Sequence, residues 1–131
     1  MSETHDGTDV TQDIVESAVT QWLTVPDVAE LLNIDVVRAR GLLKDRQVLA
    51  RRRGERDVLS IPAEFIQHGP EGPSVLKGLP GLLVLLLDAG YTDDEALRWL
   101  FTDDGLPGSP VDALRQNRGT EVKRRAQALG F

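Results

Sequence analysis

The chain has 131 residues, enough for one domain with a real core, and carries a formal net charge of −6 with no cysteine. The missing thiols exclude disulfides, thiolate metal sites and cysteine nucleophiles and fit a reducing, cytoplasmic setting. The strongest apolar run, Leu82 to Leu87, is far shorter than the roughly 20 residues a spanning helix needs, and no basic-then-apolar segment opens the chain, so a soluble protein without membrane partner or signal peptide is expected.

In chain order, residues 1–17 read as a disordered acidic tail, too poor in large apolar groups to repay the entropy of ordering. Order is expected to begin between Ala18 and Leu23. Thr24-Val25-Pro26-Asp27 then places a hydroxyl at an N-cap, Pro in the first turn and a carboxylate three residues on, so a helix starts near Val25 with Val28, Ala29 and Leu32 facing inward. Asn33-Ile34-Asp35 is a turn whose Asp35 caps a second helix reaching about Asp45. On that helix Val36, Ala39, Leu42 and Leu43 share one arc, while Val37, Arg40, Gly41 and Lys44 lie opposite with Arg38 at their edge.

Val48-Leu49-Ala50 and Val58-Leu59-Ser60-Ile61 are β-prone and flank Arg51-Arg52-Arg53-Gly54-Glu55-Arg56-Asp57, a hairpin with a basic tip. Pro62 to Ile66 opens a short helix, and Gly69-Pro70-Glu71-Gly72-Pro73 reads as a linker. The rest reads as helices over Leu79–Ala89, Asp93–Phe101 capped by Thr92, Pro110–Gln116 capped by Ser109, and Thr120–Leu129. The nearly all-round apolar run Leu79 to Leu87 is either a central buried helix, the favoured alternative, or a dimer interface. The expected fold is mainly α with a small β-hairpin wing: a winged helix-turn-helix over 18–68 and a C-terminal helical bundle over 69–131 packed on it.

Charge is divided unevenly. Residues 1–35 hold eight acidic groups and no Lys or Arg, whereas 36–56 hold eight basic groups against two acidic ones, a local +6. Such an asymmetry beside a helix-turn-helix pattern points to duplex DNA. A helix fits the major groove, where Arg bonds guanine in pairs and Gly41 allows close approach, so Val37, Arg38, Arg40, Gly41 and Lys44 are the candidate groove and phosphate contacts. Arg51, Arg52, Arg53 and Arg56 at the wing are candidates for the backbone or a minor groove.

The segment from Trp22 to Ile66 resembles the MerR/excisionase-like group, with Leu23-Thr24-Val25-Pro26-Asp27-Val28-Ala29-Glu30-Leu31-Leu32-Asn33-Ile34 similar to its first helix and turn and Gly54 to Pro62 to its wing. The whole chain resembles an actinobacterial winged-helix family that includes a mycobacterial DNA-binding substrate of Ser/Thr protein kinase L. That resemblance implies a transcriptional regulator, a Ser/Thr kinase partner and a phosphoacceptor in the tail, where Thr4, Thr8 and Thr11 are candidates and no motif selects one.

His5 and His68 sit apart from any ligand cluster, and Asp93-Asp94-Glu95 lies in the opening turn of a helix, where carboxylates favour the dipole. No phosphate-cradling loop or nucleophile elbow occurs, so neither cofactor, metal nor enzymatic activity is expected. Trp22, Tyr91, Trp99 and Phe101 are expected to pack in the core. A rival from another class rests on Ser109 to Leu129, which weakly resembles the toxin-binding end of some antitoxins and would make the chain a protein-neutralising, autoregulating module. A monomer or weak homodimer is expected.

Overall fold

The structure, a computed structural model, describes residues 13–103 and 108–129. It opens with helix α1 (Ile14–Ala18), whose N-cap Asp13 accepts hydrogen bonds from the Val15 and Glu16 backbone N–H groups. Disorder was expected to run to residue 17, but it does not extend over 13–17. One apolar side chain makes the difference: Val15 is fully buried, and α1 packs on a C-terminal helix far away in sequence.

Strand β1 (Trp22–Thr24) follows and leads directly into helix α2 (Val25–Leu32). Thr24 and Asp27 form a reciprocal capping box there, and Pro26 occupies the first turn, where its missing N–H costs nothing. Asn33 ends α2 in the left-handed region (φ 58°), the Ile34 N–H returns to the Ala29 carbonyl, and Asp35 caps helix α3 (Val36–Lys44) through the Arg38 N–H. Three residues thus turn the corner between the two helices of the motif. Their packing buries Val28, Ala29 and Ala39, with Leu32, Val36, Leu42 and Leu43 half-buried around them.

The hairpin forms with its second strand where expected and its first strand three residues later than expected. Its strands are β2 (Arg51–Arg53) and β3 (Val58–Pro62), joined by a turn that uses positive φ at Gly54 and Asp57. Val48 and Leu49, read as strand, are adjacent and both buried, so they plug the core and do not alternate across a sheet. β1 pairs antiparallel with β3 (Trp22 opposite Pro62, Thr24 opposite Ser60) and completes a three-stranded sheet in the order β1-β3-β2.

The expected helix over Pro62–Ile66 reduces to one 3-10 turn at Ala63–Phe65. The expected linker is a second hairpin, β4 (Ile66–Gly69) and β5 (Gly72–Val75), closed by Pro70 and Glu71. Its Pro and Gly residues signal a tight turn as readily as a loop; Gly72 has φ 105°.

The C-terminal half contains α4 (Leu79–Asp88), α5 (Asp93–Phe101), α6 (Pro110–Arg115) and α7 (Gly119–Ala128). Capping boxes open α5 (Thr92 with Glu95) and α6 (Ser109 with Asp112). The leucine-rich α4 buries Leu79, Leu82, Leu83 and Leu86 against α5 and α7, which places it within the body of the fold. One apolar core runs through both halves; Phe65 meets Phe101 at 5.8 Å between ring centroids, and Arg115 donates to the Glu64 and Ile66 carbonyls.

Candidate nucleic-acid interface

Helix α3 presents an uncommitted cationic face. Val37, Arg38, Arg40 and Lys44 are exposed, and Gly41 is half-exposed. At about 100° per residue, Arg40, Gly41 and Lys44 lie within roughly 60° of Val37, with Arg38 at the border. No carboxylate among the described residues pairs with Arg38, Arg40 or Lys44. The next cation along, Arg46, does pair, with Asp93 at 3.5 Å.

The wing is arranged differently. Successive side chains of a strand point to opposite faces, so Arg51 and Arg53 share one face and Arg52 takes the other. The first face is covered. Arg51, only 14% exposed, donates from Nη1 to Asp13 (2.9 Å) and Glu16 (3.2 Å) and from Nη2 to Asp94 (2.7 Å). Arg53 forks onto Glu16, with Nη2 at 2.7 Å and Nε at 3.0 and 3.1 Å, and its guanidinium carbon lies 4.5 Å from the centre of the Trp22 ring.

Arg51 and Arg53, named with Arg52 and Arg56 as candidates for the DNA backbone or a minor groove, are thus taken up by carboxylates of the same chain. Two guanidinium groups meet three carboxylates, and desolvated charges hold together only when paired in this way. Arg52 is exposed and donates to the Asp57 carbonyl at 3.0 Å, and Arg56 is exposed at the turn.

The electrostatics follow from the contacts. The Glu16 carboxyl is held below its ordinary range chiefly by the hydrogen bond from Arg53, with Arg51 adding to it against the opposing effect of burial. At Asp13 burial is the largest influence and works against ionisation, but the Glu16 N–H and Arg51 together outweigh it and lower the pKa. Arg51 is pushed upward: burial opposes its charge, and Asp94, Asp13 and Glu16 more than compensate.

Residue-level reading missed this cluster. Asp13 and Glu16, one helical turn apart, stand in the segment expected to be tail, and Asp94 stands in the opening turn of α5, where the dipole alone accounts for a carboxylate. The signal available was the Arg-x-Arg alternation of a strand with an Asp-x-x-Glu pair upstream. Thr4, Thr8 and Thr11 lie outside the described residues. The stretch that suggested an antitoxin end turns its apolar side inward, with Pro110, Val111, Ala113 and Leu114 buried and Asp112 and Arg115 exposed. Among the described residues no group of three or more His, Asp or Glu side chains is placed to hold a metal ion, and no helix is long and apolar enough to cross a membrane.

Comparison with known proteins agrees with this layout. Residues 8–66 match the family model described as "DNA-binding protein Rv2175c, wHTH domain", and residues 76–130 match the "Rv2175c C-terminal domain of unknown function". The curated protein "DNA-binding protein Rv2175c" of Mycobacterium tuberculosis is 40% identical over an alignment of 120 residues, which covers 82% of this chain and 79% of that protein. The NMR structure of Rv2175c superimposes with a TM-score of 0.72 at 38% identity, over 85% of this chain and 82% of that one. Two matched segments in the same order, a relative of this identity and a shared three-dimensional arrangement together show that the chain belongs to the Rv2175c family of winged helix-turn-helix proteins.

Proposed function

We propose that this chain binds duplex DNA as a transcriptional regulator, with α3 in the major groove and the exposed wing residues Arg52 and Arg56 on the adjacent backbone. The observation that carries the reading is the α3 face, where three cations find no carboxylate partner among the described residues in a chain whose net charge is −6. Phosphates are the complement such a surface lacks. The relative's name, DNA-binding protein, points the same way.

Within this proposal Arg51 and Arg53 brace the wing and do not contact DNA. Val37 and Gly41 face the groove floor, and Arg38, Arg40 and Lys44 its bases and walls. A Ser/Thr kinase acting on Thr4, Thr8 or Thr11 would add about −1.5 to −2 charges to an already acidic segment and weaken binding by repelling phosphates. The antitoxin alternative is the weaker reading, since the apolar residues of that stretch, Val111, Ala113, Leu114, Val122 and Ala126, are spent on the core.

The test is fluorescence-anisotropy titration of the full chain against random and genomic duplexes over a salt series, with mass measured in the same buffer to decide between monomer and weak homodimer. Arg40→Ala and Lys44→Ala should each lower the salt slope by about 1. Unchanged slopes in both would remove α3 from the interface, and equal affinity for every duplex would leave a general binder in place of a regulator.

A further inference from the structure

The most exposed large apolar side chain among the described residues is Val37, at 75%, and it stands in the middle of the cationic face of α3. Arg40 and Lys44 flank it on one side and Arg38 on the other, while Gly41 sits one turn further along the same line. The face is thus a neutral track, Val37 then Gly41, between two charged margins.

Gly41 sharpens the point. It lies inside the helix, where glycine is unfavourable, yet a Cβ built on it would meet nothing within 4 Å. Packing within the protein therefore does not require glycine there. Its bare surface leaves the backbone open to an approach from outside the molecule.

We propose that Val37 reads the C5-methyl group of thymine on the major-groove floor, with Gly41 giving the backbone room to approach the neighbouring base. The inference rests on the DNA-binding function proposed above and adds the chemistry of its selectivity. In the major groove every base edge offers polar donors or acceptors, and thymine alone adds a methyl group. A branched aliphatic side chain near the helix N-terminus, where recognition helices touch bases, finds its apolar complement only there. The flanking cations match the phosphates that border the groove, so charge positions the helix and the methyl contact selects the base.

The experiment uses the full chain and a duplex selected by it from a randomised pool. Each thymine is replaced singly by deoxyuridine, which removes only the methyl group, and affinity is measured by anisotropy for wild type and for Val37→Ala. At one or two positions the wild type should lose about three- to fivefold, the size of one buried methyl contact, and Val37→Ala should lose almost nothing from the same change while keeping the wild-type salt slope. Circular dichroism of Val37→Ala should be unchanged, as the side chain is exposed.

An undiminished deoxyuridine penalty in Val37→Ala, or a wild type indifferent to every such replacement, overturns the inference and leaves DNA binding standing. Failure of the wild type to bind any duplex at low salt overturns both.

Discussion

Arg53 lies over the indole of Trp22, its guanidinium carbon 4.5 Å from the ring centre, and reaches Glu16 from the same position. The wing is thereby tied to β1 through an aromatic face and to α1 through a carboxylate. Arg suits this place and Lys does not, because only a planar guanidinium can stack and fork at once. Arg53→Lys should cost about 1 kcal/mol, read as a lower denaturant midpoint at unchanged slope and as a shift in Trp22 fluorescence. Full stability in that variant would deny the stacking any role.

Neighbouring arginines of β2 should behave oppositely. Arg51→Ala strips the partner from Asp13, Glu16 and Asp94 and should destabilise the fold by about 2 kcal/mol, below the figure for a fully buried pair because the carboxylates keep some water. Arg52→Ala should leave stability within about 0.5 kcal/mol and lower the salt slope of DNA binding by about 1. Thermal melts and titrations of the two variants side by side decide it; equal melting temperatures would contradict the pairing described for Arg51.

The carboxylates also set a pH dependence. Glu16 and Asp13 have depressed pKa values in the folded chain, so each contributes stability that is fully present above its unfolded value, near 4.5 and 3.8, and is lost as pH falls through the lower folded value. Glu16→Gln should therefore be less stable than wild type at pH 7, with the gap narrowing as pH falls below 4.5, measured as urea midpoints on a descending pH series. A gap that persists undiminished in acid would locate the effect in packing and not in charge.

Gly41 separates stability from function. Gly41→Ala should stabilise the fold by about 0.5–1 kcal/mol, since the helix gains propensity and the methyl group meets no neighbour. Under the proposed docking DNA affinity should nevertheless fall, because the added carbon would stand where the base edge approaches. Chemical denaturation and anisotropy on the same sample check both halves; a variant that gained stability and affinity together would place the groove elsewhere.

How far these features could be read in the sequence depended on how local their causes are. Thr24, Asp35, Thr92 and Ser109 cap helices through bonds that span three residues, so the starts of α2, α3, α5 and α6 were legible. The α3 face was legible for the same reason, because helical periodicity assigns Ala39 inward and Arg40 outward without help from the rest of the fold.

Long-range pairings were not legible. β1 is three residues whose strand character comes from β3, nearly forty residues away, and β4 and β5 exist only as partners of each other. The partners of Arg51 come from α1 and Asp94, more than thirty residues away on either side. A run of three arginines carries no sign of which ones the fold will consume.

The small hairpin of β4 and β5 lies between the two segments that the family models match. Ile66 on the last residue of one segment bonds across to Val75, just before the other, and the Leu76 N–H returns to the Phe65 carbonyl at 2.8 Å. Dividing the chain there would sever a ladder and open Phe65 and Leu76 to water at once, so neither fragment would keep its own floor. The winged module and its C-terminal partner, which also share one apolar core, should melt in a single transition.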